Sequence, residues 1–451
     1  MKYSYWSTLI LPILLTTAPL VHPAPLDSSS DVPTWNYQNV WLKDSRSAMA
    51  VASTSRYAIF AGGEDNVGEP TTLVDVYDHQ TNTWSASNVS QARRSMVGAT
   101  LANRYVLFAG GMVSGTSAYS DVVDIYDTQT GQWLNPPARL SLPRANIQAL
   151  SLGDRVVFVS GSADASAATG NSPMVASTTV DMVDAKLQWT SSVMKAGSSS
   201  SAIPYFSFGP ATGSMLSSPD SAADPASQSS VKGVLVGGNY FENPNEVRPV
   251  QKVDQRTRLI TTTSLKSNEG LTDKSSDSLF INGPNLSTAV LEAVGLLAGR
   301  YFFYAGGRTA PSSPGSSPSG STFSANVEVL DVGLAKSTKS SAHWLAKDQG
   351  GKLQLSEARS QIATASLASN KFVLFGGGLI NDQSGLVTKT IDVYNTHTQK
   401  WVTSESNYMG FHIPRTGASV ATVGDCMVIF AGGRIMGNRN VTGAVDMFDI
   451  C

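Results

Sequence analysis

The residues with the clearest chemical potential in this sequence are arginines that recur at matching places. Five of them stand just before a short run that alternates small and apolar residues, and two others directly follow a glycine pair. A planar guanidinium group donates parallel hydrogen bonds, which suits carboxylate, sulfate or phosphate groups. We therefore predict a ligand-binding set that consists of Arg46, Arg94, Arg144, Arg308, Arg359, Arg415 and Arg434.

The same arginines also have a structural interpretation. If arginine belongs to the repeated unit itself, its guanidinium group satisfies backbone carbonyls or contacts a neighbouring unit rather than a ligand. The sequence leaves both interpretations open for each arginine, and the set as a whole is a stronger prediction than any single member.

A repeated glycine stop predicts the elements that position these arginines. Short apolar runs end on paired glycines, a second apolar run ends in Asp, and Trp follows, as in 74–78 and Trp84. Self-similarity of this kind predicts a repeat architecture. The seven stops are Gly62-Gly63, Gly110-Gly111, Ser160-Gly161, Gly237-Gly238, Gly306-Gly307, Gly376-Gly377-Gly378 and Gly432-Gly433.

Each unit divides into four predicted strands. In the second copy these cover 94–101, 105–111, 121–126 and the surroundings of Trp133. Glycines at the end of the second strand permit positive φ or close backbone approach, and the Trp fills space between neighbouring sheets. The double glycine with a later Tyr and Trp at these offsets resembles the kelch-repeat β-propeller family, over nearly everything after residue 35.

Seven stops predict an all-β, seven-bladed kelch propeller over 35–451. The last unit ends without an outer Trp strand, whereas 35–44, which contains Trp41, reads as an outer strand that precedes the first unit. We therefore expect the N-terminal strand to complete the last blade and to remove the free sheet edges. The fourth unit is the weakest, since its outer strand near 259–260 has no Trp.

The long Ser/Pro-rich insertions are predicted to share one face with the arginines. They lie near 162–178, 196–230, 264–286 and 308–325, in connections at the end where the glycine runs stop. Insertions on one face of a propeller commonly form the binding surface. Kelch adaptors that bind acidic peptides use arginines at the entry to the inner strand, so the resemblance implies ligand contact at the matching arginines.

The N-terminus and the charge balance indicate an extracellular protein. Lys2, the short apolar stretch 9–15 and small residues up to Ala24 predict a signal peptide over 1–24. A net charge of −2 gives no support for nucleic-acid binding, and no later segment has the purity of a membrane span. Asn88, Asn285 and Asn440 begin predicted N-glycosylation sequons.

The two cysteines are predicted to form a disulfide bond. A hairpin that pairs Gly432 with Val445 would place Cys426 opposite Cys451, and a bridge there would hold the C-terminal strand. The other possibility is two unpaired thiols.

Secreted kelch propellers include copper-radical oxidases of the galactose oxidase and glyoxal oxidase type, whose copper site this sequence lacks. The resemblance would require a Tyr cross-linked to Cys, a second Tyr and two His ligands. Outside the leader, which holds His22, the histidines are dispersed and none adjoins a Tyr; they are His79, His343, His397 and His412. The repeated Asp78, Asp127, Asn395 and Asp449 lie at strand ends, where they predict side-chain-to-backbone turns rather than metal ligands.

Two functional classes remain. The first is a secreted, monomeric, non-enzymatic protein without cofactor or metal, whose Arg-lined face engages a partner protein or an anionic glycan. The second is a metal-independent propeller enzyme, a sugar isomerase, mutarotase or lyase, since certain kelch propellers are sialic acid mutarotases. Glu64 and Asp65, just after the first stop, are its acid/base candidates, and the structural interpretation of Glu64 is a solvated loop carboxylate.

Overall fold

The described part of this protein consists of antiparallel β-sheets and contains no helix. Correspondingly, it holds no helix that could cross a membrane. The structure is a computed structural model, and it describes residues 35–113, 118–164, 174–177, 179–193, 231–236, 239–242, 250–253, 257–261, 281–282, 285–287, 290–309, 322–332, 343–344, 353–367, 369–402, 409–435 and 440–450. The predicted signal peptide, most of the predicted insertions, Gly237, Gly238 and Cys451 lie outside these residues.

The strands are short, as expected for runs that alternate or end on glycine. The N-terminal strands are β1 (Asn36–Trp41), β2 (Ala50–Ser53), β3 (Tyr57–Ala61), β4 (Leu73–Asp78), β5 (Thr83–Asn88), β6 (Val97–Leu101), β7 (Tyr105–Ala109), β8 (Val122–Asp127), β9 (Gln132–Trp133), β10 (Ala138–Arg139), β11 (Gln148–Ser151) and β12 (Arg155–Val159). The next are β13 (Ser162–Asp164), β14 (Met174–Ala176), β15 (Thr179–Asp184), β16 (Trp189–Val193), β17 (Val231–Val236), β18 (Asn239–Glu242), β19 (Val250–Val253), β20 (Thr257–Thr261) and β21 (Ile281–Asn282).

The C-terminal half continues the same pattern of short strands. Its first strands are β22 (Val294–Ala298), β23 (Tyr301–Ala305), β24 (Val327–Asp331), β25 (His343–Trp344), β26 (Ala363–Leu367), β27 (Phe372–Gly376), β28 (Leu379–Asn381) and β29 (Leu386–Val387). The last are β30 (Thr390–Asn395), β31 (Lys400–Trp401), β32 (Met409–Gly410), β33 (Ser419–Val423), β34 (Met427–Ala431), β35 (Arg434–Ile435), β36 (Asn440–Val441) and β37 (Ala444–Asp449).

Six sheets of the described residues have the form of a propeller blade. Blade A is β2–β3–β4–β5, blade B is β6–β7–β8 with β9 and β10, and blade C is β11–β12–β15–β16. Blade D is β22–β23–β24–β25, blade E is β26–β27–β30 with β31 and β32, and blade F is β33–β34–β37–β1. Their inner strands adjoin one another in the order β11, β6, β2, β33, β26 and β22. The fold is therefore an all-β propeller. Six blades lie among the described residues, where the sequence predicted seven.

The predicted fourth unit accounts for this difference in the number of blades. Its described strands form a three-stranded sheet, β17–β20–β21, and a separate pair, β18–β19. The segment that would supply an inner strand, 194–230, lies outside the described residues. The outer strand of this unit also lacks the Trp with which the other units fill the space between sheets.

The N-terminal strand closes the last blade, as predicted. β1 pairs antiparallel with β37, with Tyr37 opposite Phe448 and their rings 5.1 Å apart. Tyr37 thus takes the place that Trp84 holds opposite Tyr77 in blade A. Trp41 does not fill the space between sheets, because it is 59% exposed; its ring lies 6.1 Å from that of His412.

The glycines that end the second strand of a blade contact the next blade. The second glycine of each described pair donates its N–H to the carbonyl of an arginine in the next blade, from Gly63 to Arg93 at 3.0 Å. The same bond runs from Gly433 of blade F to Arg46 of blade A, also at 3.0 Å, so the last blade joins the first. Between the blades, apolar clusters pack against the Trp side chains, with Trp84 stacked 6.0 Å from Phe60.

The C-terminal register differs by one residue from the prediction. Ala431, not Gly432, lies opposite Val445, and Ile450 N donates to Cys426 O at 3.0 Å. The residue across from Cys426 is therefore Ile450. Because Cys451 lies outside the described residues, its disulfide bond with Cys426 stays a prediction.

Asp and Asn side chains at the ends of the third strands make turns, as predicted, on the face opposite to the glycine stops. Asp78, Asp127 and Asn395 each accept a hydrogen bond from the backbone N–H two residues later, at 2.9–3.0 Å. Asp78 also binds Arg56 at 2.6 Å, and this hydrogen bond lowers the pKa of Asp78 from 3.8 to about 2.

We expect Asp78 to contribute to acid unfolding. Because its pKa is lower in the folded chain than in the unfolded chain, its stabilisation is complete above pH 3.8 and is lost as the pH falls through about 2. Asp78→Asn should therefore lose less stability than the wild type over this interval. Urea midpoints measured at several pH values test this, and identical pH profiles would contradict it.

A candidate ligand-binding face at the propeller mouth

Every described blade places one residue in the left-handed region two positions before its inner strand. Their φ values lie between 52° and 60°, although only one is a glycine. They are Ala48, Ser95, Asn146, Glu292, Gln361 and Gly417, which we call the mouth ring. Backbone hydrogen bonds link its members from blade to blade, for example from Ser95 N to Ala48 O at 3.3 Å and from Gln361 N to Glu292 O at 3.1 Å.

Two further positions of each blade lie beside the mouth ring. The residue after the glycine stop forms a β-bridge with the residue just before the ring position, as Glu64 does with Ser47. The other bridges join Arg94 with Met112, Ala145 with Ser162, Leu291 with Arg308, Ser360 with Leu379, and Thr416 with Arg434. We call the surface formed by the mouth ring and these two further positions the mouth. Three predicted ligand-binding arginines lie there: Arg94, Arg308 and Arg434.

The other four predicted arginines are buried inside the blades. Arg46, Arg144, Arg359 and Arg415 are at most 1% exposed, and each binds an aspartate of the third strand in its own blade. In blade B this position is held by Arg93, not by the predicted Arg94. The five pairs are Arg46–Asp75, Arg93–Asp124, Arg144–Asp181, Arg359–Asp392 and Arg415–Asp446.

These buried guanidinium groups also satisfy backbone carbonyls, as the structural interpretation requires. Arg46 Nη1 donates to Leu73 O at 2.6 Å, and Arg415 Nη2 donates to Phe430 O at 3.0 Å. Burial lowers the pKa of Arg415, and the charge of Asp446 opposes that shift. The guanidinium groups of these four arginines do not reach the surface, so these arginines are internal to the blades. The seven predicted arginines therefore do not form one ligand-binding set.

The aspartate partners were not predicted from the sequence, although blade D carries a signal for them. Blade D has Val290 where the other blades have the buried arginine, and Glu328 where they have aspartate. In that blade Glu328 accepts hydrogen bonds from Ser287 instead, at 2.8 and 2.9 Å. The one blade that lacks the buried arginine among the described blades thus also lacks the aspartate. This joint replacement indicates that arginine and aspartate form a repeated internal pair.

The first charged cluster at the mouth joins three blades around Glu64. Glu64 Oε2 lies 2.9 Å from Arg94 Nη1, and Glu64 Oε1 lies 2.5 Å from Arg434 Nη2. Ser47 Oγ is 3.5 Å from Glu64 Oε1. The Glu64 side chain is only 9% exposed, whereas that of Arg94 is 34% exposed. We call Glu64, Arg94 and Arg434 the basic cluster, because two cations surround one anion.

Glu64 is buried rather than a solvated loop carboxylate, whereas Asp65 is exposed. Both oxygens of Glu64 are bound by guanidinium groups, so Glu64 holds the two arginines in place. Asp65 Oδ1 accepts the backbone N–H groups of Val67 and Glu69 at 2.9 Å and so shapes its own loop.

The second charged cluster lies between blades D and E. Arg308 Nη2 is 2.6 Å from Glu292 Oε1, and Arg308 Nη1 is 2.5 Å from Asp382 Oδ2. Glu292 Oε2 accepts hydrogen bonds from Ser360 Oγ and Gln361 Nε2, both at 3.1 Å. Burial lowers the pKa of Arg308, but its two carboxylate partners outweigh that effect and raise the pKa. We call Glu292, Arg308 and Asp382 the acidic cluster.

The four histidines outside the leader and the three predicted glycosylation sites are dispersed over the fold. His79 and His397 lie in turns of blades A and E, His412 lies in blade F beside Trp41, and His343 lies in β25. Among the described residues, no group of three His, Cys, Asp or Glu side chains could hold a metal ion. Asn88, Asn285 and Asn440 have exposed side chains, and their glycosylation stays a prediction.

Comparison with known proteins adds no relative. No protein-family model matches the sequence, and no curated protein matches it. The propeller arrangement therefore rests on the structure, and the kelch resemblance rests on the repeated residues.

Proposed function

We propose that this protein is a secreted, non-enzymatic kelch propeller that binds an anionic partner, a protein or a glycan, at the mouth described above. The proposal includes the predicted signal peptide, the glycosylated sequons, the Cys426–Cys451 bridge and a seventh blade built from the fourth unit. We place the ligand contacts at the basic cluster. The buried arginines stabilise the blades that carry this cluster.

One observation carries this proposal. Arg94 and Arg434 come from two different blades, and Glu64 of a third blade holds both guanidinium groups at the mouth. Two arginines and one glutamate leave a formal charge of +1, and the more exposed arginine retains donors beyond the single bond to Glu64. Such a preorganised guanidinium group binds a carboxylate or sulfate with little loss of side-chain entropy.

We expect Arg94→Ala to weaken retention of the mature protein on heparin beads and on polyglutamate beads. Loss of one partly exposed ionic contact should weaken binding by roughly fivefold, and the double variant with Arg434→Ala should weaken it further. The two bead types separate a glycan from an acidic peptide as the preferred partner. Salt should oppose binding in each case, because the contact is between exposed charges.

Arg139→Ala is the matched control. Arg139 is 67% exposed and pairs with Asp121, but it lies on β10, an outer strand of blade B, rather than beside the mouth ring. If Arg139→Ala and Arg94→Ala reduce retention equally, or if neither changes it, the proposed site is wrong.

A further inference from the structure

The two clusters at the mouth have opposite formal charges. The basic cluster has two arginines and one glutamate, which gives +1, whereas the acidic cluster has one arginine and two carboxylates, which gives −1. The basic cluster belongs to blades F, A and B, and the acidic cluster to blades D and E. The mouth therefore presents a positive region and a negative region on different blades.

A continuous set of polar contacts connects the two clusters. Gln361 donates to Glu292 of the acidic cluster, and Thr416 Oγ1 donates to Gln361 O at 3.2 Å. The backbones of Thr416 and Arg434 exchange two hydrogen bonds of 2.9 Å, and Arg434 belongs to the basic cluster. The relative positions of the two clusters are thus fixed by the fold rather than by flexible side chains.

Within the acidic cluster, Asp382 is the group able to meet a ligand. Glu292 uses both oxygens for Arg308, Ser360 and Gln361, so it acts as internal support. Asp382 makes one hydrogen bond to the described residues, through Oδ2, which leaves Oδ1 available as an acceptor. A carboxylate in this position suits an ammonium group.

The mouth ring favours a sugar over a peptide side chain. Ser95 and Asn146 of this ring are partly exposed and offer a hydroxyl and an amide group. Such groups exchange hydrogen bonds with sugar hydroxyls, and a ring of this kind contains no large apolar side chain to accept a hydrophobic anchor.

We propose that the mouth binds an anionic glycan that also carries free amino groups, with its acidic groups at Arg94 and Arg434 and an ammonium group at Asp382. This inference rests on the proposed function and adds the cationic requirement. The specificity arises because each cluster attracts one sign of charge and repels the other.

The test compares two forms of one polysaccharide, N-desulfated heparin with free amines and the same material after N-acetylation. We expect wild-type protein to bind the free-amine form about five- to tenfold more tightly. Asp382→Asn should remove this preference while it leaves binding to the N-acetylated form unchanged. Asp154→Asn is the control, because Asp154 is 66% exposed and pairs with Arg155 in the turn between β11 and β12.

The outcomes separate this inference from the proposed function. If the wild type binds both forms equally, or if Asp382→Asn retains the preference, the cationic subsite is wrong while the anionic site stands. If neither form binds and polyglutamate beads do not retain the protein, or if Arg94→Ala changes binding to none of these three materials, the proposed function fails as well. Loss of binding to both forms in Asp382→Asn would overturn the assignment of Asp382 to the ammonium group.

Discussion

Asp446→Ala is expected to lower the free energy of unfolding by about 3–5 kcal/mol, because it leaves a buried guanidinium charge without its partner. Arg415 and Asp446 are both completely buried, and their side chains lie 2.5 Å apart. Asp446 also accepts hydrogen bonds from Tyr37 Oη at 2.5 Å and from His412 N at 3.0 Å. The substitution therefore removes the acceptor that links β1, β37 and the entry to β33.

The measurement is the urea midpoint of the wild type and the variant at neutral pH. Asp121→Ala is the matched control, since Asp121 pairs with Arg139 in a pair whose arginine is 67% exposed, and it should change stability by at most about 1 kcal/mol. Equal midpoints for Asp446→Ala and Asp121→Ala would refute the buried-pair account. If Asp446→Ala does not fold, Asp446→Asn provides a milder variant, for which we expect an intermediate loss.

The same reasoning predicts that Arg415→Ala acts on stability rather than on ligand affinity. Its effect on any binding assay should follow the fraction of folded protein, whereas Arg94→Ala should weaken binding without shifting the urea midpoint. Arg94 lies one position beyond the place that Arg93 and Arg415 share in their repeats, and it therefore has a different role from the buried arginines.

Gly62→Ala is the second substitution with a large expected effect, a loss of roughly 2–5 kcal/mol from backbone strain and overpacking together. Gly62 has φ of +61°, and a Cβ placed there would lie 2.4 Å from Arg93 O of the next blade. The carbonyl cannot move away, because it accepts the N–H of Gly63 at 3.0 Å.

Gly417→Ala separates the two contributions. Gly417 has nearly the same φ, +60°, but no atom lies within 4 Å of a Cβ placed there. Ala48 and Ser95 occupy the equivalent ring positions with side chains and φ of 53°. We therefore expect a loss of about 1 kcal/mol for Gly417→Ala, measured by the same urea titration, and a comparable loss in the two variants would contradict the steric explanation.

The repeated residues predicted the architecture well because the signals are local. Apolar runs that end on glycine became the second strands, and the N-terminal strand pairs with the last blade as expected. The predictions failed where a long-range register decided the outcome. A shift of one residue placed Ile450 rather than Cys451 across from Cys426, and the weak fourth unit did not form a complete blade among the described residues.

The site was predicted only in part, and the neighbours Arg93 and Arg94 show why. The sequence placed arginines at the entries to the inner strands, and that position is correct. Successive residues of an extended chain face opposite sides, so Arg93 enters the blade and binds Asp124, while Arg94 meets Glu64 of another blade.

The sequence by itself determined the repeat, the strand order within a blade, the face on which the glycine runs end and the arginines at that face. Only the tertiary structure decided which arginine is internal and which is available, because their partners are distant in the sequence. Asp75 lies 29 residues from Arg46, and Glu64 lies 370 residues from Arg434. Burial and ion pairing depend on that contact and not on the motif. The ligand contacts that we propose therefore involve Arg94, Arg434 and Asp382, which the fold brings from separate blades.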